Sequence, residues 1–399
     1  MNSPLPESCH CRPAVGQTGM TLTDYAAWRR THPDAVRSDY RRMMRDGEGV
    51  VLPPITRRSD DEGTIKFCLP VAGTSGLESE SVIIPMTSYH NGTWHTLCVS
   101  SQVGCGMGCV FCETGRLGLR HNLTVAEIVE QRLVARNIRL SATTQPGTQE
   151  ATSVPVRREW HYFSDGIQNI VFMGMGEPLD NFDNVTQAIR VLGDPRGLNF
   201  PMSKICVSTV GRIDGLRRLA GLKWPNLRIA VSLNAADDKL RETLMPINRG
   251  MPLRELQRAL MEYPMAPSAY YLIEYVLLKG VNDRLADADA VADFCRPLRC
   301  IVNLIPYNPQ RSASFEASTT ETLLAFMKRL KNRGVFVKRR IAHGRDLQGA
   351  CGQLGNAELS GIPEINDRLP VAVGQADIEP LALDDVAGEP LLLPKPVKA

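Results

Sequence analysis

Residues 98–112 read CVSSQVGCGMGCVFC, and Cys105, Cys109 and Cys112 stand there at C-x3-C-x2-C spacing, directly after an apolar, strand-like run. Four thiolates close a metal site; three leave one coordination position for something that is not protein. A loop this compact can wrap an iron–sulfur cluster. An iron without a protein ligand can then bind a small molecule and pass it an electron. A zinc loop completed by a distant residue, or three structural thiols, would draw on the same residue type. Zinc spacings, however, pair C-x2-4-C with a second Cys/His pair.

Outward from this loop, strand-like and helical patterns alternate. Strands are expected at Thr96–Val103, Gln168–Met173, Lys204–Val210, Leu227–Leu233, Tyr270–Leu278, Cys300–Pro306 and Val335–Ile341. Helices are expected between them at Val125–Leu140, Val185–Leu192, Leu216–Leu222, Leu253–Tyr263, Ala286–Phe294 and Thr320–Lys331. In the first helix Val125, Ile128, Val129 and Leu133 recur at the helical period. Repeated β-α units imply a parallel sheet with right-handed crossovers. Six units fall short of the eight that close a barrel. The expectation is therefore an α/β fold, an open (β/α)6 partial barrel. The chemically unusual segments all follow strand ends: Cys105, Gly174–Pro178, Ser208, Ser232–Asn234 and Asn308. Parallel sheets gather such positions at one mouth.

The chain has 399 residues, 43% hydrophobic and 22% charged, enough for a sizeable core. Met1–Val15 lacks the basic start and apolar core of a secretion signal, and no apolar run of ~18 residues is present. Eleven cysteines in such a chain point to a reducing, cytoplasmic setting and to metal or catalytic roles. Net charge is +3, unevenly spread: residues 356–399 hold eight acidic and three basic residues, so the body is basic, as nucleic-acid binding favours. Four regions are expected. Residues 1–60 form a basic helical region, disordered over 1–20, with one or two helices across Asp24–Arg45. Residues 61–95 form a small β segment, with strands at Gly63–Leu69 and Ser81–Pro85. Residues 96–355 form the core, with a polar insertion at 141–166, and residues 356–399 a disordered, Pro-rich acidic tail.

Further motifs sharpen the site. In GMGEP, Gly174–Pro178, two glycines allow close backbone approach and Glu177 offers an acceptor for an ammonium group; a plain strand-to-helix turn would need no more. Buried cysteine is usually a small apolar core residue, the reading for Cys206, Cys295 and Cys300. Glu80 alone reads as a solvated strand residue.

The words CVSSQVGCGMGCVFC, MGMGEPLDNFDNV, VNLIPYNP and ACGQL, in that order, resemble the RlmN/Cfr family of radical S-adenosylmethionine (SAM) RNA methyltransferases from about Asp61 to Leu354, and the cysteine spacing is that of radical SAM enzymes. The resemblance implies a 4Fe-4S cluster on Cys105, Cys109 and Cys112, with SAM bound by Gly176, Glu177, Ser208, Ser232, Leu233, Asn234 and Asn308. It implies two SAM per turnover. One methylates Cys351. The second is cleaved reductively, and its radical activates that methyl group for addition to an sp2 carbon of adenine. Cys98 then attacks the Cys351 sulfur, releasing methylated RNA and leaving a disulfide, and Glu80 takes the proton from the adduct carbon. The substrate implied is ribosomal RNA, together with transfer RNA, modified at C2; C8 methylation is the alternative within the family, and a non-RNA substrate the alternative outside it. An electron donor such as flavodoxin and a monomeric state are also expected. The chain departs from the family at Asn234, where His is usual, in a shorter N-terminal region, and in insertions between Glu80 and Cys98 and at 141–166. Lys328, Arg329, Lys331, Arg333, Lys338, Arg339, Arg340 and Arg345 crowd the chain before Cys351, where phosphate contacts would hold RNA; for Lys328–Arg333 a solvated helix face is the alternative.

Overall fold

The computed structural model describes residues 16–87, 93–143, 165–309, 315–340, 349 and 352–355, all within one compact unit, Met1–Ile365. The acidic tail, most of the 141–166 insertion, Arg345 and Cys351 lie outside the described residues.

In chain order the elements are α1 (Leu22–Trp28), α2 (Pro33–Asp46), β1 (Arg57–Asp61), β2 (Thr64–Pro70), β3 (Glu78–Thr87), β4 (Thr93–Cys98), β5 (Gln102–Val103), α3 (Glu113–Arg116), β6 (His121–Asn122) and α4 (Val125–Thr143). Then come β7 (Ile167–Phe172), α5 (Phe182–Gly193), β8 (Ile205–Thr209), α6 (Ile213–Gly221), β9 (Arg228–Ser232), α7 (Asp238–Leu244) and α8 (Leu253–Glu262). The last are β10 (Tyr271–Leu277), α9 (Leu285–Cys295), β11 (Cys300–Pro306), α10 (Thr320–Asn332) and β12 (Val337–Arg339).

Ten strands make one sheet in the order β1-β2-β3-β4-β7-β8-β9-β10-β11-β12. From β4 to β12 every pairing is parallel, and helices make each of the six crossovers. The sheet stays open, with β1 and β12 as its edges, which is the partial barrel expected. The strands, such as IQNIVF and YLIEYVL, are mostly apolar on the outer face, while their concave face is mixed, with Asn169 and Glu274 among its residues. Their outer residues pack under the crossover helices; Ile170, Ile205, Ile229, Ile273 and Val302 are completely buried.

Two local departures have clear causes. The apolar run expected as one strand over Thr96–Val103 splits, because Val99 to Gln102 bond instead to the β7–α5 loop: Gly174 N donates to Val99 O (3.1 Å) and Ser101 N to Met175 O (3.0 Å). The segment at 61–95 continues the same sheet through the antiparallel β3–β4 pairing, and it gains β1, whose RRSDD carries no apolar alternation. At the N-terminus α1 and α2 pack through Leu22, Tyr25 and Tyr40, with Leu22 N donating to Asp194 at 2.8 Å. Several of their arginines pair locally, Arg42 with Asp39 and Glu48.

Candidate active site

The strand C-terminal ends carry the predicted site. Cys105, Cys109, Cys112, Gly176, Glu177, Ser208, Ser232, Asn234 and Asn308 all line one cavity of about 150 Å³. They come from five successive or nearby strand ends, those of β4–β5, β7, β8, β9 and β11, so β-α connectivity brings them together.

The cysteine loop is held at both ends. Cys105 N donates to Gly118 O at 3.0 Å, and Cys112 N to Cys109 O at 3.1 Å. Gly104 has φ +71, and a Cβ there would sit 1.8 Å from Gly118 O, so no other residue fits the entry to the loop. Met107, Phe111, Leu244, Met245 and Tyr307 wrap the loop in an apolar cluster apart from the main core. Burial pushes the Cys105 thiol up to about 12 and raises Cys109 well above its usual range. Buried thiolates thus need a bound cation. Three sulfurs around a shared cavity suit a polynuclear cluster, in which each thiolate takes a different iron.

GMGEP is tied to the cysteine-bearing segment. Met175 N donates to Ser100 Oγ (3.0 Å), whose own hydroxyl donates to Glu80 O (2.6 Å). Glu177 N donates to Gln102 Oε1 (2.8 Å). Gly176, at φ +101, would place a Cβ 2.5 Å from Gln102 Cβ. The Glu177 carboxylate accepts from Val210 N (2.8 Å) and Leu179 N (3.1 Å), clasping the β7 and β8 ends together. Burial raises its carboxyl to about 7, and those N–H groups restrain the rise. The sequence reading assigned it ligand contact only; it also organises the cavity wall.

Asn234 sits at φ +56, a left-handed conformation that Asn tolerates. Its Oδ1 accepts from Val276 N at 2.9 Å. Leu233 is placed differently from the others: its side chain is in the main core and does not line the cavity, and its carbonyl accepts from Arg241 Nε at 3.0 Å. Its backbone is engaged as well, the N–H donating to Glu274 O at 3.0 Å and the carbonyl also accepting from Ala235 N at 2.7 Å, so Leu233 shapes the strand end rather than the cavity lining. Arg241 was not foreseen. Wholly buried, it donates to Val210 O (2.6 Å), Ser232 O (3.2 Å), Leu233 O and Asn248 Oδ1 (2.7 Å), fastening the β8 and β9 ends from below.

Cys98 and Glu80 do not line this cavity. Cys98 lines a second one, of about 520 Å³ on the sheet's concave face, which shares Met173, Glu274, Ile305, Asn308, Arg340 and Leu354 with the first. Cys206, expected as plain core, lines it too. Val82 lies opposite Cys98 in register, so Glu80, two residues away, shares the face of Cys98 one diagonal step off, about 7–8 Å. Glu80 is buried rather than solvated, and its Oε2 pairs with Lys66 Nζ at 2.8 Å. Cys351 lies outside the described residues. Its sequence neighbour Gly352 lines the first cavity and accepts from Glu113 N at 2.8 Å.

The basic stretch before Cys351 divides in two. Arg329 donates to Asp289 twice at 2.8 Å, and Arg333 to Asp289 (2.6 Å) and Asp293 (2.7 Å). Those two serve α9–α10 packing, whereas Lys338, Arg339 and Arg340 line the second cavity.

Comparison with known proteins agrees with this geometry. The radical SAM superfamily model matches residues 99–292. A protein of Protochlamydia amoebophila named "Probable dual-specificity RNA methyltransferase RlmN 1" is 41% identical over 306 residues, covering 77% of this chain and 77% of its own. The "Dual-specificity RNA methyltransferase RlmN" of Syntrophobacter fumaroxidans is 39% identical over 322 residues, covering 79% and 85%. The crystal structure of a radical SAM methyltransferase from Sphaerobacter thermophilus superposes with TM-score 0.72 at 31% identity, over 84% of this chain and 98% of that one.

Proposed function

The chain belongs to the RlmN family of radical SAM RNA methyltransferases, and from that premise we propose that it methylates C2 of an adenine in ribosomal and transfer RNA, with Cys351 carrying the methyl group and Cys98 releasing the product. Cys105, Cys109 and Cys112 would hold a 4Fe-4S cluster, which when bound would supply the single electron that opens chemistry at a carbon with neither lone pair nor acidic proton. Gly176 and Glu177 receive the amino end of SAM; the buried carboxylate, held by Val210 N, Leu179 N and the Thr209 side chain, gains a cation. Ser208, Ser232, Asn234 and Asn308 hold the remainder, with the Leu233 backbone behind them. The target adenine must leave its stack to reach a chamber enclosed by strands.

On the RNA side Cys98 attacks the sulfur of Cys351 once the base has been modified: the S–S bond forms as the bond from that sulfur to the methylene carbon on adenine breaks, and the carbon keeps the electron pair and takes up a proton to become the methyl group. That thiol pair ends as a disulfide, which an electron donor outside the chain reduces. Glu80 accepts the proton from the adduct carbon, and Lys66 Nζ, 2.8 Å from its Oε2, holds the carboxylate in place. The observation that carries this reading is the placement of Cys98, in a cavity that shares walls with the cysteine-loop chamber and with Glu80 on the same face.

Replacing Cys98 with Ala removes the resolving thiol. Under turnover conditions the variant is expected to accumulate RNA joined covalently to Cys351, visible as a retarded band and by mass spectrometry. Cys351→Ala is expected to abolish methylation while iron content and cluster absorbance persist. Only free RNA with Cys98→Ala, or undiminished methylation with Cys351→Ala, would refute the thiol roles. Nucleoside analysis of the product separates C2 from C8.

A further inference from the structure

The second cavity has a side that the chemistry above leaves unused. Where the strands begin, it is lined by Lys204, just before β8, and Arg228, the first residue of β9. Cys206 is opposite Arg228 in register and Lys204 is two residues earlier, so alternation turns all three toward the lumen. Lys338 and Arg340 add charge from the β12 side. Glu274 is the one carboxylate among the described lining residues, and it accepts from Asn303 Nδ2 at 2.9 Å with Arg340 at 3.6 Å. Burial lowers the Lys204 ammonium below its usual range, and the nearby Arg228 charge lowers it further. Like charges facing one partly enclosed cavity repel at a cost that a bound anion relieves.

We propose that Lys204 and Arg228 form a phosphodiester-binding subsite that grips the RNA backbone beside the extruded adenine. The inference rests on the RNA methyltransferase reading and adds to it where the strand enters. From Lys204 to Ser208, which lines the cysteine-loop chamber, is four residues of β8, about 13 Å. The anionic backbone is thus held at one end of the lumen while the base reaches toward Cys98 and the other end. A guanidinium fork fits two phosphate oxygens, and the adjacent ammonium adds a second point charge. Trp94 and Tyr270, in the same lining, offer ring faces to a flanking sugar or base. Contacts of this kind fix register without reading sequence, which suits an enzyme acting on more than one RNA.

The test uses holoenzyme and an RNA hairpin with an unpaired adenine in its loop. Dissociation constants are measured across a salt series for wild type, Lys204→Gln, Arg228→Gln and the double variant, with Lys204→Arg and Arg228→Lys as charge-retaining folding controls. Each neutral substitution should reduce the slope of log K against log salt by about 0.7, the value for one single-strand phosphate contact. The charge-retaining pair should keep the wild-type slope. A second hairpin carries neutral methylphosphonate linkages on both sides of the adenine. It should reproduce the double variant's loss with wild-type enzyme, and combining it with the double variant should weaken binding no further. Unchanged slopes, or fully additive losses, overturn the subsite while wild type still binds and methylates the hairpin. A wild type that neither binds nor methylates any structured RNA overturns the function reading itself, and the subsite with it.

Discussion

Arg241→Met tests whether the cofactor-side cavity depends on one buried guanidinium. The substitution keeps most of the side chain's volume and removes every donor. Four acceptors, Val210 O, Ser232 O, Leu233 O and Asn248 Oδ1, then lose the guanidinium they had at 2.6–3.2 Å, with Leu233 O still accepting from Ala235 N at 2.7 Å. A buried acceptor left unmet costs about 1–3 kcal/mol, and such losses within one network are not additive. Against this, the native state is relieved of a buried cation; burial is the main reason its ionisation falls to about 10. The net expectation is a destabilisation of roughly 3–5 kcal/mol, the range for dismantling a buried charged network. With ~2–4 °C per kcal/mol for domains of 150–250 residues, thermal midpoints should fall on the order of 10 °C. Arg241→Lys retains charge but not the fork and should recover about half of that. Thermal scans of the two variants beside wild type, with SAM affinity measured in parallel, read both consequences. A midpoint for Arg241→Met within about 2 °C of wild type would show that these strand ends hold themselves in place, and the keystone role would be discarded.

Gly176→Ala should weaken SAM binding at least tenfold, because the added Cβ meets Gln102 Cβ at 2.5 Å in a left-handed backbone; unchanged affinity by equilibrium dialysis would contradict that. Asp165→Ala strands Arg132, whose partner sits at 2.6 Å with both side chains almost wholly buried, and should cost about 3–5 kcal/mol in urea unfolding. Glu130 is raised by burial to about 7 in the folded chain. Its folded value exceeds its unfolded one, so its contribution is complete below the unfolded pKa of about 4.3 and disappears as pH climbs to about 7. Glu130→Gln should therefore be more stable than wild type at pH 8, by up to about 3 kcal/mol, and no better at pH 4; a difference independent of pH would disprove the burial effect.

Much of the site was readable because its signals are local. Cysteine spacing, glycines next to a carboxylate, and hydrophobic runs at strand length survive without knowledge of neighbours. What escaped depends on tertiary partners. The helix α7 has only Leu240 and Leu244 to mark a face, and it is started by Asp237 accepting from Leu240 N at 2.9 Å. Arg241 reads as one more surface arginine on it, since nothing in DKLRET reveals that strand-end carbonyls await it. The charges of α10 did carry a signal. Arg329 and Arg333 share the i,i+4 spacing of Asp289 and Asp293, and complementary stripes on successive helices favour packing over RNA contact. Glu80 was misjudged on its own terms because Lys66, its counter-ion, comes from a different strand.

That last pairing changes how the antiparallel wing should be understood. A closed barrel of parallel strands faces its lumen with packed side chains and leaves catalysis to loops. Here β4 has β7 on one side and β3 on the other, so a strand of the wing stands where another parallel strand would close the ring. Because β3 runs antiparallel, its residues before Val82 extend beyond the C-terminal end of β4, toward the mouth that holds the cysteine loop. Glu80 lies in that stretch, its carbonyl accepting from Ser100, which also receives Met175 N. One serine therefore joins the wing, the cysteine-bearing segment and GMGEP. Shifting the β3–β4 register by one residue would turn Glu80 to the opposite face and break the Ser100 link together. The wing and the parallel strands are in this sense one structural unit, because Glu80 and Cys98 are set on one face by the same register.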